Sequence, residues 1–168
     1  MTVLLKGLDK RQLLLYILSI NRKVCSKSEK EEGETDVLLI ATDGSLGSIL
    51  ANVMLAMDAK KAGSGAGVIF SEEALAALMD NKFYEMPEGL KKHSKEIADN
   101  AANGGHPLPK EPADVVNIAA GAGLPMFACP AWGLLLGVAG KIPAEITLLD
   151  APTALKEIGA AGKVVAGL

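Results

Sequence analysis

Aromatic residues supply only 4% of this 168-residue chain, and it holds two cysteines, two histidines and one tryptophan. With so few rings, stacking platforms for bases or sugars are not expected. Two cysteines exclude a disulfide scaffold. An excess of one charge is lacking too. Seventeen Lys and Arg against twenty Asp and Glu leave a net −3, so no electrostatic case for nucleic acid arises. What is plentiful is small and aliphatic: hydrophobic residues make up 49% of the chain and glycine fills 18 positions. That composition excludes a disordered or collagen-like chain. The length favours one domain, with a core built from Ala, Val, Leu and Ile.

Charge is spread unevenly. Residues 1–30 carry seven Lys/Arg and two Asp/Glu, a local +5, which leaves −8 for the rest. A basic, leucine-rich leader of this kind has three readings: a signal peptide, a membrane-surface helix or an oligomer contact. The apolar run Leu13–Ile20 is short, and Asn21-Arg22-Lys23 follows where small residues would mark cleavage. The preferred expectation is a helix opening near Asp9 that packs on the body or on a neighbouring subunit. A charge-free stretch from Val115 to Gly140 is long enough to span a bilayer. Six Gly and Pro residues punctuate its interior, however, so it reads as helix end, buried strand and new helix. No membrane span is expected, and the chain is read as cytoplasmic.

The leader and a charged linker occupy residues 1–35, and a single α/β domain covers 36–168. Asp36–Thr42 is a short apolar run that reads as a buried strand. The turn Asp43-Gly44-Ser45 leads to a helix over Leu46–Lys61, and Ala66–Phe70 reads as a second strand. Ser71 opens a helix through Met79, with Glu72 and Glu73 as first-turn acids. Residues 81–112 are more polar and read as an insertion with a helix near Glu88–Ala102. Asp114–Gly121 follows as a helix, Met126–Ala128 as a third strand and Pro130–Val138 as another helix. A short strand at Glu145–Leu149, a helix at Pro152–Ile158 and a last strand at Lys163–Ala166 complete the order. Alternation of strands and helices predicts a three-layer α/β sandwich with a mostly parallel sheet.

Cys129 is the leading candidate for chemistry. It falls at the carboxyl end of a predicted strand, where open α/β sheets place binding crevices. Pro130 suits the first helical position, which makes Cys129 the cap residue. A thiol there faces unpaired backbone N–H groups and the positive helix end, which favour the thiolate. The competing reading is an inert thiol, since free cysteine is among the most buried residue types.

The stretch Leu124–Gly137 (LPMFACPAWGLLLG) resembles the cysteine region of DsrE/DsrF-like sulfur-relay proteins, in which a small apolar strand ends in Cys and a glycine follows in the next helix. The tail from Ile146 and the opening unit Val37–Phe70 are similar to that family in order and spacing. Residues 36–80 and 113–168 carry the resemblance. The leader, the insertion and Pro130-Ala131-Trp132 depart from it. The resemblance implies sulfur carried as a persulfide on Cys129, assembly as a trimer or hexamer, protein donors and acceptors of sulfur, and no cofactor.

The remaining candidates have plainer readings beside the sharp ones. Thr42–Ser48 could bind a small anion or nucleotide through helix N-terminal amides, although turn and cap chemistry also explains Asp43, Gly44 and Ser45. It is neither a P-loop nor a complete dinucleotide fingerprint. Trp132 either walls the thiol or anchors a subunit interface. Cys25 is a resolving thiol or incidental. His93 and His106, thirteen residues apart, match no metal motif and read as surface histidines, so no metal site is expected. Three functions compete: a persulfide carrier, a non-catalytic binding module at Thr42–Ser48, and a structural subunit.

Overall fold

A computed structural model describes residues 35–104 and 107–167. The leader, Cys25 and His106 lie outside these residues. Five strands form one all-parallel sheet: β1 (Val37–Ala41), β2 (Ala66–Phe70), β3 (Met126–Ala128), β4 (Thr147–Leu148) and β5 (Lys163–Ala166). Their spatial order is β4-β3-β2-β1-β5, so the chain walks outward from β1 and then returns to its other side. Seven helices are described: α1 (Leu46–Lys61), α2 (Glu72–Asp80), α3 (Glu88–Lys91), α4 (Ser94–Asn103), α5 (Pro112–Gly121), α6 (Pro130–Leu136) and α7 (Ala151–Ala160). This α/β arrangement is compatible with a three-layer sandwich.

The elements form where local chemistry and burial agree. In β2 all five residues are buried, as expected for an interior parallel strand. Leu39, Ala41, Val68, Phe70, Met126 and Ala128 belong to the main core, together with Ile49 and Val53 of α1. Leu75 of α2 and Val115 and Val116 of α5 complete its helical side. Leu38 and Ile69 alternate to the opposite sheet face and are also buried. α2 stops at Asn81, whose left-handed backbone (φ 47°) ends the helix. Its Oδ1 then accepts from the Ala113 N–H at 3.0 Å, tying that stop to the start of α5.

The predicted helix over Glu88–Ala102 is two pieces, α3 and α4, interrupted at Lys92-His93. Neither piece buries a residue, so no core contact enforces one continuous helix. Lys91 pairs with Glu85 at 2.8 Å and Glu88 at 2.9 Å, but both carboxylates are highly exposed and such pairs stabilise little. No helix among the described residues is long and apolar enough to cross a membrane.

At α7 the Asp150 side chain accepts from the Thr153 N–H at 2.7 Å. Hydrogen bonds from the Thr153 side chain and backbone hold this carboxyl below its ordinary value. A depressed carboxyl stabilises the folded form above its unfolded value, and that contribution disappears as pH falls through the folded one. Far-UV circular dichroism on wild type and Asp150→Asn should therefore show wild-type helicity falling faster below about pH 4. Asparagine keeps the acceptor and loses the titration. Parallel acid curves for the two proteins would refute this role.

Candidate functional site

Because every strand runs the same way, all five carboxyl ends share one edge of the sheet. Three interior turns meet there: Thr42–Ser45 after β1, Ser71-Glu72 after β2, and Cys129-Pro130 after β3. The first two are laced together. The Ser71 N–H donates to the Ala41 carbonyl at 2.9 Å, and the Ala74 N–H to the Thr42 carbonyl at 3.0 Å.

The β1 turn is built around Asp43 and Gly44. Asp43 Oδ1 accepts from the Ser45 N–H at 2.7 Å, a local turn typical of Asp. Ser45 Oγ accepts from the Ser48 N–H at 3.4 Å and caps α1. Gly44 has no room for a side chain, since a Cβ would lie 2.7 Å from the Glu73 carbonyl oxygen and 2.7 Å from the Tyr84 ring. Tyr84 locks the turn from the other side by donating its N–H to the Gly44 carbonyl at 2.9 Å. Burial, with the Asp80 carboxylate beside it, raises the Tyr84 phenol above its ordinary value.

Beyond this turn lies a cavity of about 540 Å³. That volume is in the range of small-molecule sites. Thr42, Asp43, Ser45 and Ser48 supply its polar end, and Leu46 and Leu50 of α1 continue its wall. The opposite wall comes from the polar segment 81–112, through Met86, Pro87, Leu90, Ile97 and Leu108. Gly167, just past β5, also touches it. The strand order reverses between β1 and β5, and crevices in open parallel sheets form at such a reversal.

Cys129 does not line this cavity. Two strand spacings, roughly 10 Å, separate β3 from β1. The cysteine is half-buried and free, and it caps α6 with Pro130 at the first helical position. Its N–H donates to the Phe70 carbonyl at 2.9 Å, and its carbonyl accepts from Gly133 at 2.7 Å. Leu148 of β4 packs so closely on Gly133 that a Cβ there would lie 2.5 Å from its Cδ1. α6 touches α7. Together these helices leave Leu134, Leu135 and Leu155 exposed at 83%, 73% and 71%, with Trp132 at 36%. The candidate residues thus fall into two groups on one edge: Asp43, Gly44 and Ser45 at the cavity, and Cys129, Pro130 and Trp132 at the thiol.

Neither a family model nor a curated protein matches the chain. The sequence reading of Glu72 as an ordinary first-turn acid missed its backbone, which is left-handed (φ 51°) at the head of α2. A non-glycine residue held there stores strain, a feature that concentrates at functional edges. No local sequence signal marks it, because Glu is not among the residues that favour this conformation. His93 is exposed, with Nδ1 3.1 Å from Glu96, and lies in neither group. Among the described residues, no cluster of three or more His, Cys, Asp or Glu could hold a metal ion.

Proposed function

We propose that this protein carries sulfur as a persulfide on Cys129 and passes it to a thiol on a partner protein. The observation that carries the reading is a free, half-buried thiol on the carboxyl edge, outside the cavity and at the head of the helix that exposes Leu134 and Leu135. A thiol enclosed in a pocket serves small molecules, whereas one on an open apolar face can meet a second protein. Exposed apolar area of this kind marks protein contact. The order and spacing shared with DsrE/DsrF-like proteins supports the same reading, including a homo-oligomer such as a trimer or hexamer. A DsrE-like sandwich is the finer fold assignment that goes with it. Such a relay requires reduced thiols, as the cytoplasm provides.

The exchange balances without a cofactor. The Cys129 thiolate attacks the terminal sulfur of a donor persulfide R–S–SH. A new Sγ–S bond forms, the donor S–S bond breaks, and R–S⁻ leaves as the donor thiolate. The acceptor thiolate then attacks the outer sulfur of the Cys129 persulfide, which restores the Cys129 thiolate and forms the acceptor persulfide. Rates follow thiolate fraction and access.

Incubation of reduced protein with polysulfide, followed by intact mass and peptide mapping, tests this. One added sulfur atom is expected on Cys129, removable by a small acceptor thiol, absent from Cys129→Ser and retained in Cys25→Ser. Absence of the adduct under conditions that modify a control thiol would overturn the relay. The second reading, a binding module at the Thr42–Ser48 turn, is favoured by the cavity found there.

A further inference from the structure

The geometry points to a second site, independent of Cys129: the cavity over the β1 turn binds an amine with an apolar body, its ammonium group held by Asp43. The cavity's walls select the body. Leu46, Leu50, Leu90, Ile97 and Leu108 line the cavity and offer it no charge. The polar end selects the head. Asp43 is the one ionisable side chain among the described lining residues, with no Lys, Arg or His beside it. Its Oδ1 is engaged by the Ser45 N–H, while Oδ2 has no hydrogen-bond partner among the described residues. A half-buried carboxylate beside apolar walls, with one oxygen unpaired, is stabilised by a cationic donor.

The same features weigh against an anion or nucleotide. A phosphate approaching the first turn of α1 would stand beside the Asp43 carboxylate, with no cation among the described lining residues to offset the repulsion. The positive end of α1 already has a negative neighbour in Asp43. The hydroxyls of Thr42 and Ser45 lie at the same end and offer further oxygen acceptors for an ammonium group. Of the two charges this turn could receive, the described lining residues favour the cation, because none of them is basic.

Octylamine, octanol and octanoate share one apolar chain and differ in the charge of the head, so they separate these terms. Each is titrated into the full chain below its micelle concentration and followed by calorimetry. Octylamine should bind saturably, and octanoate at least about tenfold more weakly. Asp43→Asn keeps an oxygen to accept from Ser45, so the turn is retained. It should cost octylamine about tenfold in affinity while leaving octanol unchanged. Ile97→Trp, which fills the cavity, should weaken octylamine and octanol together. Equal affinity for octanoate, an amine affinity indifferent to Asp43→Asn, insensitivity to Ile97→Trp, or no saturable amine binding would each overturn the proposal. Circular dichroism on both variants establishes that the fold is intact. Persulfide formation on Cys129 is a separate readout, so failure of the amine site leaves the relay reading where it stood.

Discussion

Truncation of Phe70 to alanine is expected to destabilise the domain by about 3–5 kcal/mol. Phe70 is fully buried at the carboxyl end of β2, in the middle of the sheet. It pairs in register with Ala41 of β1 and Ala128 of β3, so small neighbours on both sides leave the ring to fill the space between them. Those alanines cannot expand into the vacated volume, and the lost transfer energy is joined by a cavity cost. A domain of this size has about 5–15 kcal/mol in total, so the variant stands close to unfolding. Urea titration should show a lower midpoint at unchanged slope. A loss under about 1 kcal/mol would mean that the ring is not held as described.

Gly44→Ala is expected to cost about 3 kcal/mol, the upper part of the range for overpacking. One of the two clashing atoms is the Glu73 backbone oxygen, at 2.7 Å from the added Cβ, and it cannot swing aside as a side-chain tip would. Relief requires the β1 turn and the head of α2 to move apart. Two hydrogen bonds oppose that movement, from Ser71 to Ala41 and from Ala74 to Thr42. Asp43 and Ser45 flank the displaced residue, so the polar end of the cavity should be spoiled together with stability. Thermal unfolding and octylamine titration on the same protein measure both effects. Wild-type stability with wild-type amine binding would show that the turn is loose.

Most of the framework was legible because burial and turn chemistry coincide. The bounds of α1, β2, β3 and β5 match the sequence reading, since each is flanked by Gly, Pro or a capping residue and all but β5 face the core. Pro130 and Gly137 likewise bracket α6, although the helix stops at Leu136 where Gly137 turns left-handed (φ 62°). Residues 81–112 were readable as polar but not as a wall. α4 carries an apolar stripe at Ile97, Ala98, Ala101 and Ala102, but what that stripe meets depends on where the chain folds back. The placement of Cys129 at the carboxyl edge follows from strand and helix order alone. Its separation from the Thr42–Ser48 turn does not, because β2 lies between β1 and β3 only once the sheet order is known.

The return of β5 to β1 has a consequence for the order of events during synthesis. Val37 pairs with Lys163 and Leu39 with Val165, so one edge of β1 waits until β5 has been made. β1, β2 and β3 can associate on a growing chain, but throughout that interval β1 presents an apolar strand with unpaired backbone groups along one side. Such an edge is a template for a strand from another chain. The contact that closes it spans nearly the whole domain, and distant pairings form slowly. A chain halted before residue 163 would thus leave this edge of β1 uncovered, and the four residues of β5 act as the stopper that ends that exposure.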